Sequence, residues 1–383
     1  MKLISLSLVL SLVLQSYISS HTPEQVTVLV QAEDSTREQT DSVVVVTIGA
    51  TGDLMCHSTQ FKYASTGNGR YDFSGCFAYV EPYIAGIDYM IGNLETTLAG
   101  TRLPYSGYPD FNTPDDYVAG VKAAGFDMLV TANNHSNDTG ERGIIRTLAV
   151  LDSLGMDHTG TYAREEDRSP FIKEMDGIRI AFLAYTYSTN GKMLPAGKEW
   201  MVNPIDGELI SRDIAAAKSS NADIVVVVYH FGQEYKRAPD DYQQHYARVA
   251  MENGADIILG SHPHVLQPAG RFVSGKSNVD TGFIAWSMGN FISNQQDEYT
   301  DEGIIYRLSI EKNLQSGSVR ISDVGYLPTW VYKGKSEALR LHAVFPAADT
   351  LHYFLGQAAI TDGEKALQHT TSLLSGINGT ILE

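Results

Sequence analysis

Cysteine is scarce in this chain of 383 residues, which contains only Cys56 and Cys76. Two cysteines do not make the disulfide framework that is typical of small secreted domains. In an oxidising compartment the two thiols can still pair. Cys56 also lies three residues after Asp53, so a thiol at the edge of a polar site is the alternative. The sequence leaves both interpretations open.

Basic residues are scarce as well, because 28 Lys and Arg stand against 45 Asp and Glu, which gives a net charge of −17. Nucleic-acid phosphates are bound by basic surfaces, so this balance argues against a nucleic-acid partner. It would repel any polyanion unless the binding site is locally cationic, as bound metal ions would make it. With 19% charged and 43% hydrophobic residues, the chain is globular and long enough to bury an α/β core.

Two signatures of common enzymes are missing, namely the Gly-x-Ser-x-Gly elbow of serine hydrolases and a Walker-type lysine loop. Gly49-Ala50-Thr51-Gly52 offers an alternative, since a glycine-rich turn after the first strand can hold the pyrophosphate of a dinucleotide. In that fingerprint the third glycine would fall at Met55, and the residues that follow do not form a convincing helix start. The sequence therefore disfavours a dinucleotide site.

The N-terminus has the pattern of a secretory signal over residues 1–20. Lys2 supplies a positive charge, residues 4–14 are apolar, and small serines follow. An uncleaved anchor is the alternative, while a lipoprotein anchor is not indicated because no cysteine lies near the cleavage point. Residues 21–42 are polar and acid-rich and predict a linker. We therefore expect an exported protein, either periplasmic, extracellular or anchored in the membrane.

From residue 43 to about residue 310, apolar strand-like runs alternate with amphipathic segments. The pattern predicts an α/β protein whose mostly parallel sheet is covered by helices. Later strand-like runs without intervening helices predict antiparallel elements at the end of the sheet system. We expect helices at 113–124, 143–154, 206–219, 242–252 and 349–374, and late strands at 282–286, 303–311 and 324–327.

Several of the apolar runs stop at a side chain that can bind a metal. In an open α/β sheet, ligands bind outside the carboxyl ends of the strands, so these side chains should meet at one edge. Each residue alone has an ordinary explanation as a turn former or a satisfied core histidine. The prediction of a metal centre rests on several strand ends agreeing, and these end at Asp53, Glu95, Asn134, His230, and the pair His262 and His264.

His135 follows Asn134 directly and can stay off the metal, free to donate a proton or to stabilise developing negative charge. Asp138 is close enough in sequence to orient His135, although it can also cap the segment from Gly140 onward. A carboxylate placed between two metal ions reduces their mutual repulsion, as in two-metal sites with ions about 3.5–4 Å apart.

The order of these motifs resembles the CapA family, the poly-γ-glutamate capsule biosynthesis family of bacteria. The resemblance covers residues 43–328 and leaves 329–383 as a C-terminal extension that is partly helical. It implies a fold similar to the calcineurin-like metallophosphatases, a four-layer α/β/β/α sandwich. The motifs that carry it are Gly52-Asp53-Leu54-Met55, Asn93-Leu94-Glu95, Asn133-Asn134-His135 with Asp138, His230-Phe231-Gly232-Gln233-Glu234-Tyr235, His262-Pro263-His264, and Ser287-Met288-Gly289-Asn290-Phe291.

The resemblance also implies roles for the site residues. Glu95 would bridge two metal ions, with Asp53 and His264 on one ion and Asn134, His230 and His262 on the other. His135, oriented by Asp138, would act beside the leaving group while metal-activated hydroxide attacks a phosphoester. Glu234, Tyr235 and Asn290 belong to the family's own motifs, and we expect them to bind substrate, although Glu234 and Tyr235 can instead brace His230.

The chain departs from the metallophosphatase pattern at Met55, where those enzymes carry a histidine ligand. A thioether is a poor ligand for hard or borderline ions, and His57 or Cys56 would have to replace it. The first metal position can therefore be weak. Glu95 also replaces a shorter Asp, which changes its reach.

Two functions remain open from the sequence. One is an exported metal-dependent hydrolase in capsule or exopolymer biosynthesis, acting on a phosphoester or another linkage of an anionic envelope polymer. The other is a non-catalytic factor that binds or exports the polymer through its metals. A membrane capsule-synthesis complex is an expected partner of either. The mixed ligand set suits two divalent ions among Mn, Fe, Zn and Mg.

Overall fold

The computed structural model describes residues 43–336, 339–349, 352–376 and 380–382. The predicted signal at 1–20 and linker at 21–42 lie outside the described residues. Among the helices of the described part, none combines the length and the apolar character that a membrane crossing requires.

The described chain contains seven α-helices and seventeen β-strands. The helices are α1 (Ser58–Ala64), α2 (Glu81–Ile84), α3 (Asp116–Ala123), α4 (Gly140–Ser153), α5 (Gly207–Ser219), α6 (Asp241–Asn253) and α7 (Gln357–Leu373). The strands are β1 (Val43–Leu54), β2 (Ser65–Gly67), β3 (Arg70–Tyr71), β4 (Tyr89–Leu94), β5 (Met128–Val130), β6 (Asp157–Thr159), β7 (Phe171–Met175), β8 (Ile178–Thr186), β9 (Ile224–His230), β10 (Ile257–Ser261), β11 (Ala269–Phe272), β12 (Gly282–Ala285), β13 (Asn290–Ile292), β14 (Glu302–Asn313), β15 (Val319–Lys333), β16 (His342–Pro346) and β17 (Thr380–Ile381).

The strands form two main sheets and a small hairpin of β2 and β3. The first sheet has the order β16-β15-β14-β1-β4-β5-β6, with β13 beside the end of β1 and β17 beside β15. Within it, β1, β4, β5 and β6 are parallel, whereas the pairs β1–β14, β14–β15 and β15–β16 are antiparallel. The second sheet has the order β11-β12-β10-β9-β8-β7, parallel from β12 to β8. The expected parallel core with late antiparallel strands is therefore present.

The two sheets pack face to face because their central strands are apolar on both sides. In β9, Ile224 and Val226 pack between the sheets, whereas Val225 and Val227 pack outward against α5 and α6. On the other outer face, Leu129 of β5 packs with residues of α1, α2, α3 and α4. A strand buried on both faces reads as a continuous hydrophobic run, as these do. The four-layer α/β/β/α sandwich is confirmed.

Sequence signals at helix ends agree with the structure in several places. Asp240 caps α6 by accepting a hydrogen bond from the Gln243 N–H, and α6 ends at Gly254, whose φ of +101° suits glycine. Asp206 caps α5 in the same way. The first predicted helix is shorter than expected, because α3 begins only at Asp116.

The interpretation of residues 49–52 as a dinucleotide-binding turn is wrong, because β1 continues through them to Leu54. Both glycines serve close packing. A Cβ on Gly49 would lie 2.5 Å from Met90 Sδ, and one on Gly52 would lie 1.9 Å from the Gly289 carbonyl oxygen. The missing side chains therefore let neighbouring segments approach β1, and they leave no phosphate-binding loop there.

The C-terminal part of the chain joins the first sheet. Position 328, the predicted end of the main domain, lies inside β15, and β16 pairs with that strand. α7 packs against β15 and lies within the segment expected to be helical. At its end His369 Nδ1 lies 2.5 Å from Glu302 Oε1 of β14.

A core substitution between the sheets should destabilise the protein strongly. Ile48 of β1 is 0% exposed, whereas Val45 on the same strand is 50% exposed. We expect Ile48→Ala to lower the free energy of unfolding by about 2–5 kcal/mol. Val45→Ala should change it by about 0.5 kcal/mol or less. Urea unfolding followed by circular dichroism measures both, and equal losses would contradict the two-sheet core.

Stability should also depend on the protonation of Glu302. Burial raises its pKa to about 7 despite the opposing effect of His369. A carboxyl with a raised pKa favours the folded state only while it is protonated, so this contribution is lost as pH rises from the ordinary value of 4.5 through about 7. We expect the stability of the wild type relative to Glu302→Gln to fall between pH 5 and pH 8, by thermal unfolding. Glu298→Gln, at an exposed carboxyl nearby, is the control, and a pH-independent difference for Glu302→Gln would refute the assignment.

Candidate metal centre

The predicted ligand side chains come from both sheets and lie together. In the first sheet, Asp53 lies at the end of β1 and Glu95 directly follows β4. In the second sheet, His230 is the last residue of β9, and His262 and His264 follow β10. His264 Nδ1 is 3.0 Å from Asp53 Oδ2, and His230 Nε2 is 3.4 Å from Glu95 Oε1. All five residues are at most 2% exposed. The carboxyl ends of the two sheets therefore converge on one buried cluster.

Glu95 lies at the centre of this cluster. Among the described residues, two groups each bring three ligand atoms within 4.8 Å of one another, and Glu95 belongs to both. The groups are Asp53, Glu95 and His230, and Glu95, His262 and His264. Both Glu95 oxygens are buried and have no hydrogen-bond partner in the described part of the chain. Burial, together with the nearby Asp53 carboxylate, raises the pKa of Glu95 well above its ordinary value.

A buried carboxylate without a donor or counter-charge is strongly disfavoured. Divalent ions held by the two groups would supply the missing positive charge, and carboxylate and imidazole are ordinary ligands for them. The residues therefore fit a pair of metal ions with Glu95 between them. The grouping by distance differs from the partition implied by the family resemblance, which put Asp53 with His264 and His230 with His262. Assignment of each ligand to an ion stays a prediction.

His230 is held in a fixed orientation. Its Nδ1 lies 3.0 Å from Ser261 Oγ and 3.2 Å from Asn93 Nδ2, and its Nε2 lies 2.9 Å from Asn134 Oδ1. Burial lowers the pKa of His230 to about 3, despite the opposing Asp53 charge. The neutral imidazole is the form that binds metals.

The turn after β10 has an unusual backbone. His262 and His264 have φ values of +97° and +59°, a region that non-glycine residues occupy at a cost of about 1–3 kcal/mol each. His262 Nδ1 is buried and has no partner among the described residues, and burial lowers the pKa of His262 well below its ordinary value. His264 Nδ1 lies 3.1 Å from Asn290 Oδ1. The unusual backbone of this turn places both imidazoles in the cluster.

Of the two central carboxylates, Asp53 has more hydrogen bonds than Glu95. It accepts hydrogen bonds from Asn93 Nδ2 at 2.8 Å and from the His262 N–H at 3.4 Å. Burial alone would raise its pKa, but the hydrogen bond with His264 and the electrostatic effect of the nearby His264 and His230 imidazoles outweigh burial, so the pKa of Asp53 is lowered. Asp53 therefore remains an anion while Glu95 depends on further positive charge.

The two asparagines after β5 have different roles. Asn133 stabilises the turn, because its Nδ2 donates to the Leu94 carbonyl at 2.7 Å and its Oδ1 accepts from the His135 N–H at 3.1 Å. Asn134 Oδ1 lies beside His230, as described above. Of the two asparagines, it is therefore Asn134, the residue predicted as a ligand, whose oxygen lies at the metal site.

His135 lies next to the cluster and is paired with Asp138. His135 Nδ1 is 2.7 Å from Asp138 Oδ2, which also accepts a hydrogen bond from the Phe111 N–H at 2.7 Å. The Phe111 ring meets the His135 imidazole edge-on at a centroid distance of 4.7 Å, and Lys192 Nζ lies 3.8 Å from Asp138 Oδ1. The expected orienting contact is present, whereas the catalytic role of the pair stays a prediction.

Met55 stands where metallophosphatases carry a histidine ligand, and His57 and Cys56 were the possible replacements. All three side chains make other contacts. Met55 is buried, and its sulfur accepts a hydrogen bond from Ser293 at 3.6 Å. His57 Nδ1 lies 3.3 Å from the Asn294 N–H and 3.2 Å from Gln60 Oε1. Cys56 and Cys76 are both buried and free, and burial raises the pKa of the Cys56 thiol. In the described residues none of these side chains belongs to either ligand group.

The three predicted substrate residues lie at different depths. Glu234 is exposed, and Tyr235 is 41% exposed with its ring centroid 6.3 Å from that of His264. Asn290 is buried, and its Nδ2 donates to Gln295 Oε1 and to the Thr300 carbonyl at 2.8 Å each. With its Oδ1 beside His264, Asn290 supports a ligand. Its contact with substrate stays a prediction.

Sequence reasoning missed several residues around the cluster. Asn93, which belongs to a quoted motif, and Ser261, which directly precedes another, orient His230. Tyr187 directly follows β8 and lies with its ring centroid 4.5 Å from that of His262, at 38% exposure. The strand-end rule would have found Tyr187, because β8 is the parallel neighbour of β9. Tyrosine is not among the usual ligands of these ions, so a search for metal ligands alone does not find it.

Comparison with known proteins adds a family match. Residues 47–295 match the family described as "Bacterial capsule synthesis protein PGA_cap". The chain is 32% identical over 286 residues to the PGA biosynthesis protein CapA of Bacillus subtilis (strain 168), which covers 73% of this chain and 72% of that protein. It is 29% identical over 252 residues to the capsule biosynthesis protein CapA of Bacillus anthracis, covering 64% of this chain and 60% of that one.

A solved structure also resembles the fold. The NAD nucleotidase (NadN) of Haemophilus influenzae is 13% identical, with a TM-score of 0.49, over 89% of this chain and 64% of that one. Because this TM-score is below 0.5, any statement about family rests on the sequence matches.

Removing the central carboxylate should remove metal from both positions. Glu95→Gln keeps the size of the side chain and deletes the charge that both ligand groups share. We expect a metal-loaded wild type with two divalent ions per chain and a variant with markedly less than one, by elemental mass spectrometry after gel filtration.

Glu234→Gln is the matched control, because this exposed carboxylate lies near the site but belongs to neither ligand group. Its metal content should equal that of the wild type. An unchanged metal content in Glu95→Gln would contradict a shared ligand.

Proposed function

This chain belongs to the family of bacterial capsule synthesis proteins, and we propose that it is an exported metal-dependent hydrolase that acts in capsule or exopolymer biosynthesis. Its substrate would be a phosphoester or another linkage of an anionic envelope polymer. The apolar N-terminal pattern supports export, and the family supports the capsule context. A complex with membrane-bound capsule-synthesis proteins is part of the proposal.

The observation that carries this proposal is the position of Glu95. A carboxylate whose two oxygens are buried without a donor, and which two groups of metal-ligating residues share, is costly unless cations bind there. A structural polar site would satisfy these oxygens with its own hydrogen-bond donors. The arrangement suits two divalent ions, and among Mn, Fe, Zn and Mg the mixed ligands favour no single one.

The protein's own residues would divide the remaining work. Bound divalent ions would supply Lewis acidity at the reacting group. Asn134, with its oxygen beside His230, would help to hold the same ion as His230. The Nδ1 of His135 is hydrogen-bonded to Asp138. The other ring nitrogen, Nε2, is therefore the one that can donate a proton to the leaving oxygen or stabilise the negative charge on that oxygen. Phe111, packed against the His135 ring, holds that imidazole in place.

A second candidate function is metal-dependent binding of the polymer without turnover. Met55 favours it, because the residue that would complete the first metal position has a thioether that is engaged with Ser293. A weak first position would leave one firmly held ion, which is enough to attract an anionic chain.

Substitution of His135 separates the two functions. If the protein is a hydrolase, His135→Ala should lower kcat by about 10²–10⁴-fold on its best substrate, while the metal content stays unchanged. The substrate is sought among phosphomonoesters, phosphodiesters and poly-γ-glutamate. His158→Ala is the control, because this histidine pairs with Asp152 outside the cluster.

The same variants are introduced into the producing bacterium and assayed for polymer. Normal polymer production by His135→Ala, with metal retained and no hydrolysis by the wild type, would support binding alone and contradict the hydrolase.

A further inference from the structure

A basic groove runs beside the first half of α4, outside the metal cluster. It encloses about 970 Å³ and is formed by α4 together with the segment 99–103. Three of its lining residues are arginines, Arg102, Arg142 and Arg146, and none of the residues that line it is acidic. In a chain of net charge −17, this concentration of positive charge is not expected from composition.

The arginines are not equivalent. Arg146 is built into the floor: its guanidinium forms two hydrogen bonds with Asp115 at 2.7 and 2.6 Å and also donates to the Leu98 carbonyl. A Cβ on Gly100, which has a φ of +72°, would lie 2.7 Å from that guanidinium, so the loop is shaped to the arginine. Asp115 neutralises much of the Arg146 charge.

Arg102 and Arg142 are exposed, and within the described residues neither forms an ion pair or a hydrogen bond. Their charges therefore have no counter-ion in the described part of the chain. A guanidinium presents a planar fork that matches a carboxylate with two parallel hydrogen bonds. The groove thus offers the two unpaired guanidinium groups of Arg102 and Arg142, beside that of Arg146, which is already bound to Asp115.

The remaining surface of the groove is apolar. Ile145 and Leu103 are 39% and 45% exposed, and Ala149 follows Ile145 by one helical turn. Residues three and four apart share a helix face about 5–6 Å from each other, so Arg142, Ile145 and Ala149 present charge and methyl groups side by side. This surface suits a ligand in which acidic groups are separated by methylene carbons. Its concave form suits a chain better than a flat lipid surface.

The groove is connected to the metal centre by two short segments. Thr139, which lines the groove, directly follows Asp138, and its Oγ1 lies 2.8 Å from Thr97 Oγ1. Thr97 in turn is two residues after Glu95, and it donates to the Phe111 carbonyl at 2.6 Å. A ligand in the groove would therefore contact the same segments that position His135 and Glu95.

We propose that this groove binds a stretch of a flexible polycarboxylate chain, with its carboxylates on Arg102 and Arg142 and its methylene groups on Ile145 and Leu103. It is a second subsite, separate from the metal ligands, for a polymer that the metal centre binds or cleaves. The proposal rests on the proposed function insofar as it takes the ligand of the protein to be an anionic envelope polymer.

The test compares binding of poly-γ-glutamate to the full chain and to two double variants. Arg102→Ala/Arg142→Ala removes the free forks. Arg70→Ala/Arg248→Ala removes the same charge from exposed arginines elsewhere. By isothermal titration calorimetry at low salt, we expect the groove variant to weaken binding by at least about tenfold and the control by much less. Equal losses in the two variants would overturn the proposal.

Three further arms identify the ligand. Free glutamate and its dimer should bind the wild type much more weakly than the polymer, because a short ligand makes only a few of the groove contacts; an affinity equal to that of the polymer would overturn the assignment to a chain. Polyphosphate and vesicles of phosphatidylglycerol should not depend on the two arginines. A groove dependence seen only with polyphosphate or only with vesicles would overturn the assignment to a polycarboxylate.

Repeating the titration with Glu95→Gln separates this proposal from the proposed function. If groove-dependent binding persists in Glu95→Gln, the second subsite is supported even where no hydrolysis is found. If hydrolysis is found and depends on His135, but polymer binding does not depend on Arg102 and Arg142, the groove assignment alone is wrong.

Discussion

The structure depends on one electrostatic constraint, the burial of two carboxylates side by side. Asp53 is stabilised by Asn93, His264 and the His262 amide, whereas Glu95 has no donor at all among the described residues. Removing a carboxylate from water is expensive, and placing it beside a second one adds repulsion. A divalent cation bound between the two groups of ligands would offset this cost. The other features of the site are arranged around this pair of carboxylates.

The four-layer arrangement is what brings the compensating ligands to the carboxylates. One sheet delivers Asp53 and Glu95 at its strand ends, and the other delivers the histidines. Glycines let the chain pack closely near the site: a Cβ on Gly260 would lie 1.9 Å from the Trp286 carbonyl oxygen, and one on Gly52 would lie 1.9 Å from the Gly289 carbonyl oxygen. The strained backbone at His262 and His264 then places two imidazoles where a regular turn would not. Packing and strain elsewhere in the fold thus sustain an unfavourable charge arrangement at one point.

The sequence predicted the alternation of strands and helices and the meeting of polar side chains at the strand ends, because both follow local rules, whereas the four layers were implied by the family resemblance. Buried strands appear as continuous apolar runs, and polar residues at their ends are visible without a structure. It failed where three-dimensional contact decides. The sequence disfavoured a phosphate-binding turn at Gly49 and Gly52, but it did not show that these glycines allow packing against Met90 and Gly289. Nor did it show that the Asn290 amide donates to Gln295 and Thr300. The Arg146–Asp115 pair joins positions 31 residues apart, which no periodicity reveals.

The central claim, that Glu95 is shared by two metal ions, is tested most directly by electron paramagnetic resonance of the protein loaded with Mn²⁺. Two ions about 3.5–4 Å apart, bridged by this carboxylate, should give the broad spectrum of an exchange-coupled pair. The Glu95→Gln variant, loaded in the same way, should lose that spectrum. A six-line spectrum of isolated Mn²⁺ in the wild type at full loading, unchanged by the substitution, would contradict the account.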